Sequence, residues 1–225
     1  MVCRASSGYG TDSACLLDAI ATSRGRFAGM AVVPNDITRD DLERLRKAGV
    51  QGITFNATAL GTDHYRQTGK LLADLAGLGM FVDIQGQHDQ LVPLTAAVRP
   101  AQARILVDHC GRPDPRAGFG QPGFRAVLAL AGTGRAYVKL SGLLKFSHEP
   151  YPHRDTWPYV HALLDTFGPD ACVWGSDWPF LRAGQRVDYG PLLRLVERLV
   201  PDPVNRRKVL WETPRALFGF GTTDT

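Results

Sequence analysis

The segment VWGSDWPF, residues 173–180, ends an apolar run on a single carboxylate, Asp177. An ionisable group at such a place is costly unless it is paired or used. The same arrangement recurs along the chain. Asp108, His109 and Cys110 close the run that begins at Ala103, and Lys139 and Ser141 close AYVKLSG, 136–142. Gln85 ends FVDIQ, with His88 shortly after it, and Asn56 ends GITFN. Ser6 ends VCRAS, with Ser7 and Tyr9 after it, and Asn35 and Asp36 follow FAGMAVV. An ionised Asp can take a proton from an attacking water, and a His can hydrogen-bond a developing oxyanion. Asp177 is therefore the first catalytic candidate and His109 the second.

Each has a plainer role to set beside the chemical one. Asp177 could cap a helix, although Trp178-Pro179 argues against an immediate helix start. His109 could be a core-edge histidine bonded to backbone, and Asp108 could orient a loop. His88 reads as a solvated loop residue. His148 and His153 lie in KFSHEPYPHRD, 145–155, a lid-like loop, with surface or supporting roles. His64 and His161 fall on helical patterns and read as surface residues.

The elements that must position these groups alternate between two periods. Strand candidates are VCRAS (2–6), FAGMAVV (27–33), GITFNA (52–57), FVDIQ (81–85), ARILVDHC (103–110), AYVKLSG (136–142) and CVWGSD (172–177). Most are continuous apolar runs, as expected of parallel strands covered by helices. Helical patterns fill 12–23, 38–48, 66–78, 122–131, 156–167 and 190–200, and 89–99 is a weaker one because Pro93 interrupts it. Thr38-x-x-Asp41 is a near capping box, and Gly49 marks that helix's end. The βα repeat fits an open doubly wound sheet or a closed barrel, either with its working face at the carboxyl ends of the strands. Seven strands are counted where a barrel needs eight. No linker or composition shift divides residues 1–225, which read as one domain.

Bulk properties narrow the function classes. The 225 residues are 44% hydrophobic and 21% charged, an ordinary globular balance. The net charge of +4 is scattered, with no basic run, so neither nucleic acid nor membrane is expected as a partner. A small-molecule substrate and a cytoplasmic location are expected. The four cysteines form no CxxC, and their apolar surroundings suggest reduced, buried thiols. Gly118-x-Gly120-x-x-Gly123 copies a dinucleotide-binding fingerprint but follows a loop and contains Pro122, so it is set aside. No phosphate-binding GxxxxGK[ST] loop and no GxSxG elbow occur.

Three strings, ILVDHCGRPDP (105–115), YVKLSGLLKF (137–146) and VWGSDWPF (173–180), resemble the amidohydrolase-related family, on its 2-pyrone-4,6-dicarboxylate and sugar lactonase branch. SSGYGTDSACLLDAI (6–20), AGVQGITFN (48–56) and KVLWETPRALFGF (208–220) fit the same pattern in the same order. The resemblance implies an α/β (β/α)8 TIM-type barrel that hydrolyses a lactone or ester C–O bond, of a small organic acid or a sugar-derived substrate. It implies Asp177 as the base and His109 as the group that polarises the scissile carbonyl. Ser7, Tyr9, Asn56, Gln85, Arg112, Lys139 and Ser141 are the expected substrate contacts. Family members carry His-x-His on their first strand and often an arginine where this chain has Thr54. Neither is present here, and VCRAS corresponds to the family's second strand. The first βα unit is therefore expected to be absent, leaving open strand edges, self-association into a homo-oligomer and reduced activity. No cofactor or metal is expected. The alternatives are a decarboxylase of the same superfamily using one divalent metal such as zinc, which would need more ligands, and a truncated, non-catalytic barrel.

Overall fold

The computed structural model describes residues 2–3, 9–181 and 187–220. Its centre is a parallel sheet whose strands neighbour one another in chain order. The strands are β1 (Val2–Cys3), β2 (Gly29–Ala31), β3 (Val50–Asn56), β4 (Phe81–Gln85), β5 (Arg104–Val107), β6 (Ala136–Leu140) and β7 (Cys172–Trp174). β2 to β7 form a curled six-stranded half-barrel, and β1 adds only the pairs Val2↔Gly29 and Cys3↔Met30. A doubly wound sheet reverses its strand order at a switch point. Uninterrupted sequential order belongs instead to the TIM-type barrel. Ser6 and Ser7 lie outside the described residues.

The helices α1 (Ala14–Thr22), α2 (Arg39–Lys47), α3 (Gly69–Gly77), α4 (Leu91–Val98), α5 (Pro122–Leu128), α6 (Trp157–Phe167), α7 (Tyr189–Leu199) and α8 (Thr213–Phe218) accompany the sheet. Thr38 caps α2 by accepting the Asp41 N–H at 3.1 Å. Pro93 does not break α4, because it sits in the first turn, where no intrahelical N–H is required.

Alternation along each strand makes two different interiors. Ile53, Val82, Ile84, Ile105, Val138 and Cys172 point outward and join Leu42, Leu75, Leu94, Phe124, Leu163 and Leu195 of the helices in one apolar layer. Met30, Phe81, Leu106 and Val173 point inward and meet Phe218 of α8, with Phe220 beside it. Phe81 opens β4. Arg104 opens β5 and hydrogen-bonds the Leu217 carbonyl at 3.4 Å. So α8 plugs the amino-terminal end of the strands.

The inward positions one step further along are polar. Asp83 lies beside Thr54 in the strand register, and Thr54 Oγ1 donates to Asp83 Oδ2 at 2.9 Å. Lys139 Nζ on β6 stands 3.0 Å from Asp83 Oδ1 and 3.1 Å from Asp108 Oδ1. All three side chains are buried. Side chains from β4, from β6 and from the end of β5 converge on one ammonium, so the inner face is concave. Burial pushes the Asp83 carboxyl up to about 6, against the pull of Lys139 and with a further push from Asp108. Burial would also raise Asp108, but His109, Lys139 and Arg112 together more than offset it and hold it below the usual carboxylate range. Asp83 is therefore the carboxyl that accepts a proton on mild acidification.

Removing one partner of a buried ionic group leaves uncompensated charge, typically a loss of about 3–5 kcal/mol. Lys139→Met should therefore lower unfolding stability in urea at pH 7.5 by that order. A loss below about 1 kcal/mol would mean the carboxylates are not held by this cation. Asp83 also gives a pH signature. Its folded value, about 6, lies above the ordinary 3.8. The folded protein thus binds more protons between those values, and the Asp83 contribution to stability grows as pH falls through 6. Asp83→Asn should remove that contribution. The change in melting temperature from pH 7 to pH 5 should be more favourable in the parent than in this variant, measured by calorimetry.

Candidate active site

The catalytic candidates sit where strands β5 and β7 end, on either side of β6. β5 stops at Val107, although the Asp108 N–H still bonds the Ile84 carbonyl of β4 at 2.9 Å. Strand alternation would turn His109 outward, after the inward Asp108. Instead His109 (φ 48°), Cys110 (φ 56°), Gly111 (φ 73°) and Arg112 (φ 42°) take left-handed conformations in succession. The reversal keeps Asp108 and His109 both inside and sends Cys110 out into the apolar layer. Its thiol, donating toward the Lys139 and Ser141 carbonyls, is buried and pushed up to about 12. The expected strand 103–110 therefore runs three residues too far at its carboxyl end, because the apolar Cys110 made a turn look like a strand.

On the far side of β6, Asp177 is also left-handed, at φ 58°. Such values cost a non-glycine residue roughly 1–2 kcal/mol and collect at functional sites. The turn carries the carboxylate back over the barrel mouth, and no helix begins until Tyr189 among the described residues, so Asp177 is not a helix cap.

These turns bring the groups together. Asp177 Oδ1 lies 3.5 Å from His109 Nε2, and Asp108 Oδ2 lies 3.1 Å from the same nitrogen. The other ring nitrogen, Nδ1, is 2.9 Å from Ser141 Oγ. A neutral imidazole fits this set one way: Ser141 donates to Nδ1, and the Nε2–H faces the two carboxylates. Burial holds the imidazole below its ordinary range, against the opposing pull of Asp108 and Asp177. Gly142 follows at φ 62°, and a Cβ there would come 2.7 Å from the His109 ring, so only glycine lets β6 pass so close.

Three further cations surround the carboxylates. Lys139 lies beneath, on Asp108 and Asp83. Arg112 faces Asp108 and Asp177; burial lowers its pKa, and its Nε is buried without a hydrogen-bond partner. Lys145, on the turn after β6, has its Nζ 3.4 Å from Asp177 Oδ2. Of the expected contacts, His109, Asp177, Ser141, Lys139 and Arg112 thus form one cluster. Lys139 spends its charge within the protein. Asn56 ends β3 as a cap, accepting from Thr58 Oγ1 at 2.6 Å and from the Ala59 N–H at 3.2 Å. Gln85 is half-buried at the end of β4, Tyr9 is exposed, and Ser7 lies outside the described residues.

Asp83 and Lys145 join this cluster and were not among the expected contacts. Asp83 had a signal, an acid at an inward position of an apolar strand. Lys145 had none in its spacing. His153, read above as a surface or supporting residue, is fully buried, with Nδ1 on the Glu149 carbonyl at 3.0 Å. His148 is exposed and pairs with Asp114 at 2.9 Å. His64, His88 and His161 are exposed.

Among the described residues, no group of three or more His, Cys, Asp or Glu side chains is placed to hold a metal ion. With Nδ1 on Ser141 and Nε2 aimed at two carboxylates, His109 in this tautomer offers no free lone pair to a cation. No described helix is long and apolar enough to cross a membrane.

Known proteins share this framework. The family model described as amidohydrolase matches residues 1–220. A 4-sulfomuconolactone hydrolase of Rhizobium radiobacter is 31% identical over 97% of this chain and 75% of its own length. A 2-pyrone-4,6-dicarboxylate hydrolase of Comamonas testosteroni is 26% identical over 93% of this chain and 72% of its own. A crystal structure from Pseudomonas putida, described as a candidate 2-pyrone-4,6-dicarboxylic acid hydrolase, superposes with a TM-score of 0.87 at 30% identity, covering 98% of this chain and 82% of that one. With the family model spanning nearly the whole sequence and the Asp-His and Gly-Ser-Asp segments meeting in one cluster, the chain belongs to the amidohydrolase family.

Proposed function

We propose that this protein hydrolyses the C–O bond of a lactone, with Asp177 as general base and His109 as the donor to the carbonyl oxygen. The observation that carries the proposal is the approach of Asp177 Oδ1 to His109 Nε2, at 3.5 Å, over the carboxyl ends of the strands. That separation is long for a direct hydrogen bond, so the two groups are not locked to each other. The lactone hydrolases among its relatives support the substrate class.

The steps follow from the groups in place. Asp177 takes a proton from water as the water oxygen attacks the ring carbonyl. The carbonyl oxygen becomes an oxyanion, and the Nε2–H of His109 turns from the carboxylates to that oxygen. Ser141, donating to Nδ1, keeps the ring in the tautomer that carries this proton, and the ionised Asp108 holds the proton until the oxyanion forms. The ring C–O bond then breaks, and the leaving oxygen recovers a proton from Asp177. Hydrolysis opens the lactone to a hydroxy or keto acid.

Arg112 faces Asp108 and Asp177, so an acid group of a substrate would share this cation with both carboxylates. Thr54, where the family often has arginine, spends its hydroxyl on Asp83. β3 thus brings no cation to the mouth, which favours a substrate with fewer acid groups than a dicarboxylate. No metal enters this mechanism, because the donor set does not fit one.

The test is hydrolysis of 4-sulfomuconolactone, 2-pyrone-4,6-dicarboxylate and an uncharged aldonolactone, followed by titration of released acid. A placed base contributes about 10²–10⁴, so Asp177→Asn should cut kcat by about 10² or more on the best substrate. Unchanged turnover in this variant would remove Asp177 from the chemistry. A chelator should leave the parent rate within about twofold, whereas loss on chelation and recovery with zinc would favour the metal-dependent alternative.

A further inference from the structure

Asp177 depends on a support that its own strand does not supply. β7 is the last strand of the sheet, paired only with β6 among the described residues. Its pairing to β6 is already stretched where the site begins: Gly175 N–H reaches the Leu140 carbonyl at 3.4 Å. Beyond that point the chain leaves the sheet, and Asp177 takes a left-handed conformation that is uncommon outside glycine. Within the turn, Phe180 N–H bonds the Asp177 carbonyl at 2.9 Å, and Trp178 N–H bonds Ser176 Oγ at 3.1 Å. Those bonds shape the turn but do not fasten it to the barrel.

Lys145 does. It stands on the turn Leu143–Lys145 after β6, closed by its own N–H on the Gly142 carbonyl at 2.8 Å. Its Nζ lies 3.4 Å from Asp177 Oδ2 and also donates to the Leu181 carbonyl. One ammonium thus grips both ends of the segment 177–181. The lysine and aspartate side chains are each about 14% exposed, so the contact is largely shielded from solvent. It also divides the carboxylate: Oδ1 faces His109, and Oδ2, buried and with no hydrogen bond of good geometry, faces the ammonium. Only Oδ1 is left turned to the imidazole, where the proposed water would sit. A compact ammonium with three rotatable donors suits a carbonyl and a carboxylate at unrelated angles.

We infer that Lys145 is a positioning residue, a cross-loop clamp that fixes the Asp177 turn to the β6 turn and leaves Oδ1 as the basic oxygen. It rests on the lactonase reading for its kinetic consequence but not for its structural one. The rival role, a direct grip on an anionic substrate, predicts a different pattern. A substrate contact acts mainly on binding, and its loss raises KM. A clamp on the base acts on the chemical step, because small misplacement of a reacting group is felt in rate.

The experiment compares the parent with Lys145→Met and Lys145→Arg, two readouts for each. In steady-state hydrolysis, Lys145→Met should lower kcat by about tenfold to a hundredfold with KM within about twofold, and Lys145→Arg should recover most of the loss. A rise in KM with kcat intact would overturn the clamp in favour of substrate binding. Amide hydrogen exchange of the peptide covering 174–181, without substrate, needs no turnover. There Lys145→Met should exchange faster than the parent and Lys145→Arg close to it, while exchange of the β4 peptide stays unchanged as a check on folding. Equal exchange in the parent and Lys145→Met overturns the inference whatever the protein hydrolyses. If no lactone is turned over, the function proposed above fails, and the exchange result still decides the clamp.

Discussion

Everything at the mouth of this half-barrel depends on one buried ammonium. Lys139 stands between Asp83 and Asp108, about 3 Å from each, where water cannot screen them. Charges in such a place are tolerated only when partnered. The partnership has a directional consequence. His109, Lys139 and Arg112 hold Asp108 ionised, while Asp83, pushed up by burial and by the Asp108 charge, takes the proton first. An ionised Asp108 can accept from His109 Nε2 and so sets which nitrogen carries the proton. The tautomer that the chemistry needs is thus decided one layer below the chemistry. Counted across the site, the carboxylates of Asp83, Asp108 and Asp177 meet the cations of Lys139, Arg112 and Lys145, with a neutral His109 among them. The balance lets three acids share one cavity without forcing all of them to be protonated.

The second constraint is the backbone. A parallel strand delivers every other side chain to the interior, which suffices for the Asp83 and Lys139 layer. It does not suffice for an Asp and a His adjacent in sequence that must both point inward. The left-handed stretch from His109 to Arg112 breaks the alternation where it is needed, at the end of the sheet, where few ladder bonds are lost. Asp177 uses the same device after β7. Both turns rely on close approach: Gly142 leaves room for the imidazole, and Ser141 meets its Nδ1. The strands supply rigid posts, and the strained residues re-aim the groups that stand on them.

This division explains what was legible in the sequence. Helix and strand placement could be read from periodicity, because burying one face of each element leaves a mark every two or every three to four residues. That Asp177, His109 and Ser141 meet at one end of the sheet could be expected because polar groups closing apolar runs are rare without a purpose. The end of β5 could not, since Cys110 is apolar both as a strand residue and as a turn residue facing the helices. The helical run at 89–99 looked broken because a proline's effect depends on its distance from the helix start, which composition does not show. Asn56 caps its own turn, a role the sequence does not show, because a cap and a ligand-binding amide share the same place at a strand end. Lys145 was invisible because its partners, Asp177 and the Leu181 carbonyl, are more than thirty residues away and meet it only through the curvature of the sheet.

The distribution of these groups along the chain has a consequence for how such a site can change. His109, Asp108, Lys139, Ser141, Lys145 and Asp177 all come from β5, β6, β7 and the turns that follow them, three consecutive strands. Of the polar inward residues before that region, Thr54 and Asp83 turn toward each other and toward Lys139. The proton-handling groups are therefore tied to one another within the last part of the sheet, where replacing one unbalances the charge of the rest. The residues at the ends of β2 and β3 carry no comparable network: Asn35 bonds the His64 carbonyl at 2.6 Å, and Asn56 caps its own turn. Substitution on that side can alter the shape and charge offered to a substrate without disturbing the charge balance among Asp108, His109 and Asp177. In this chain the physics of buried charge ties one flank of the mouth together, while the described residues of the other flank carry no such constraint.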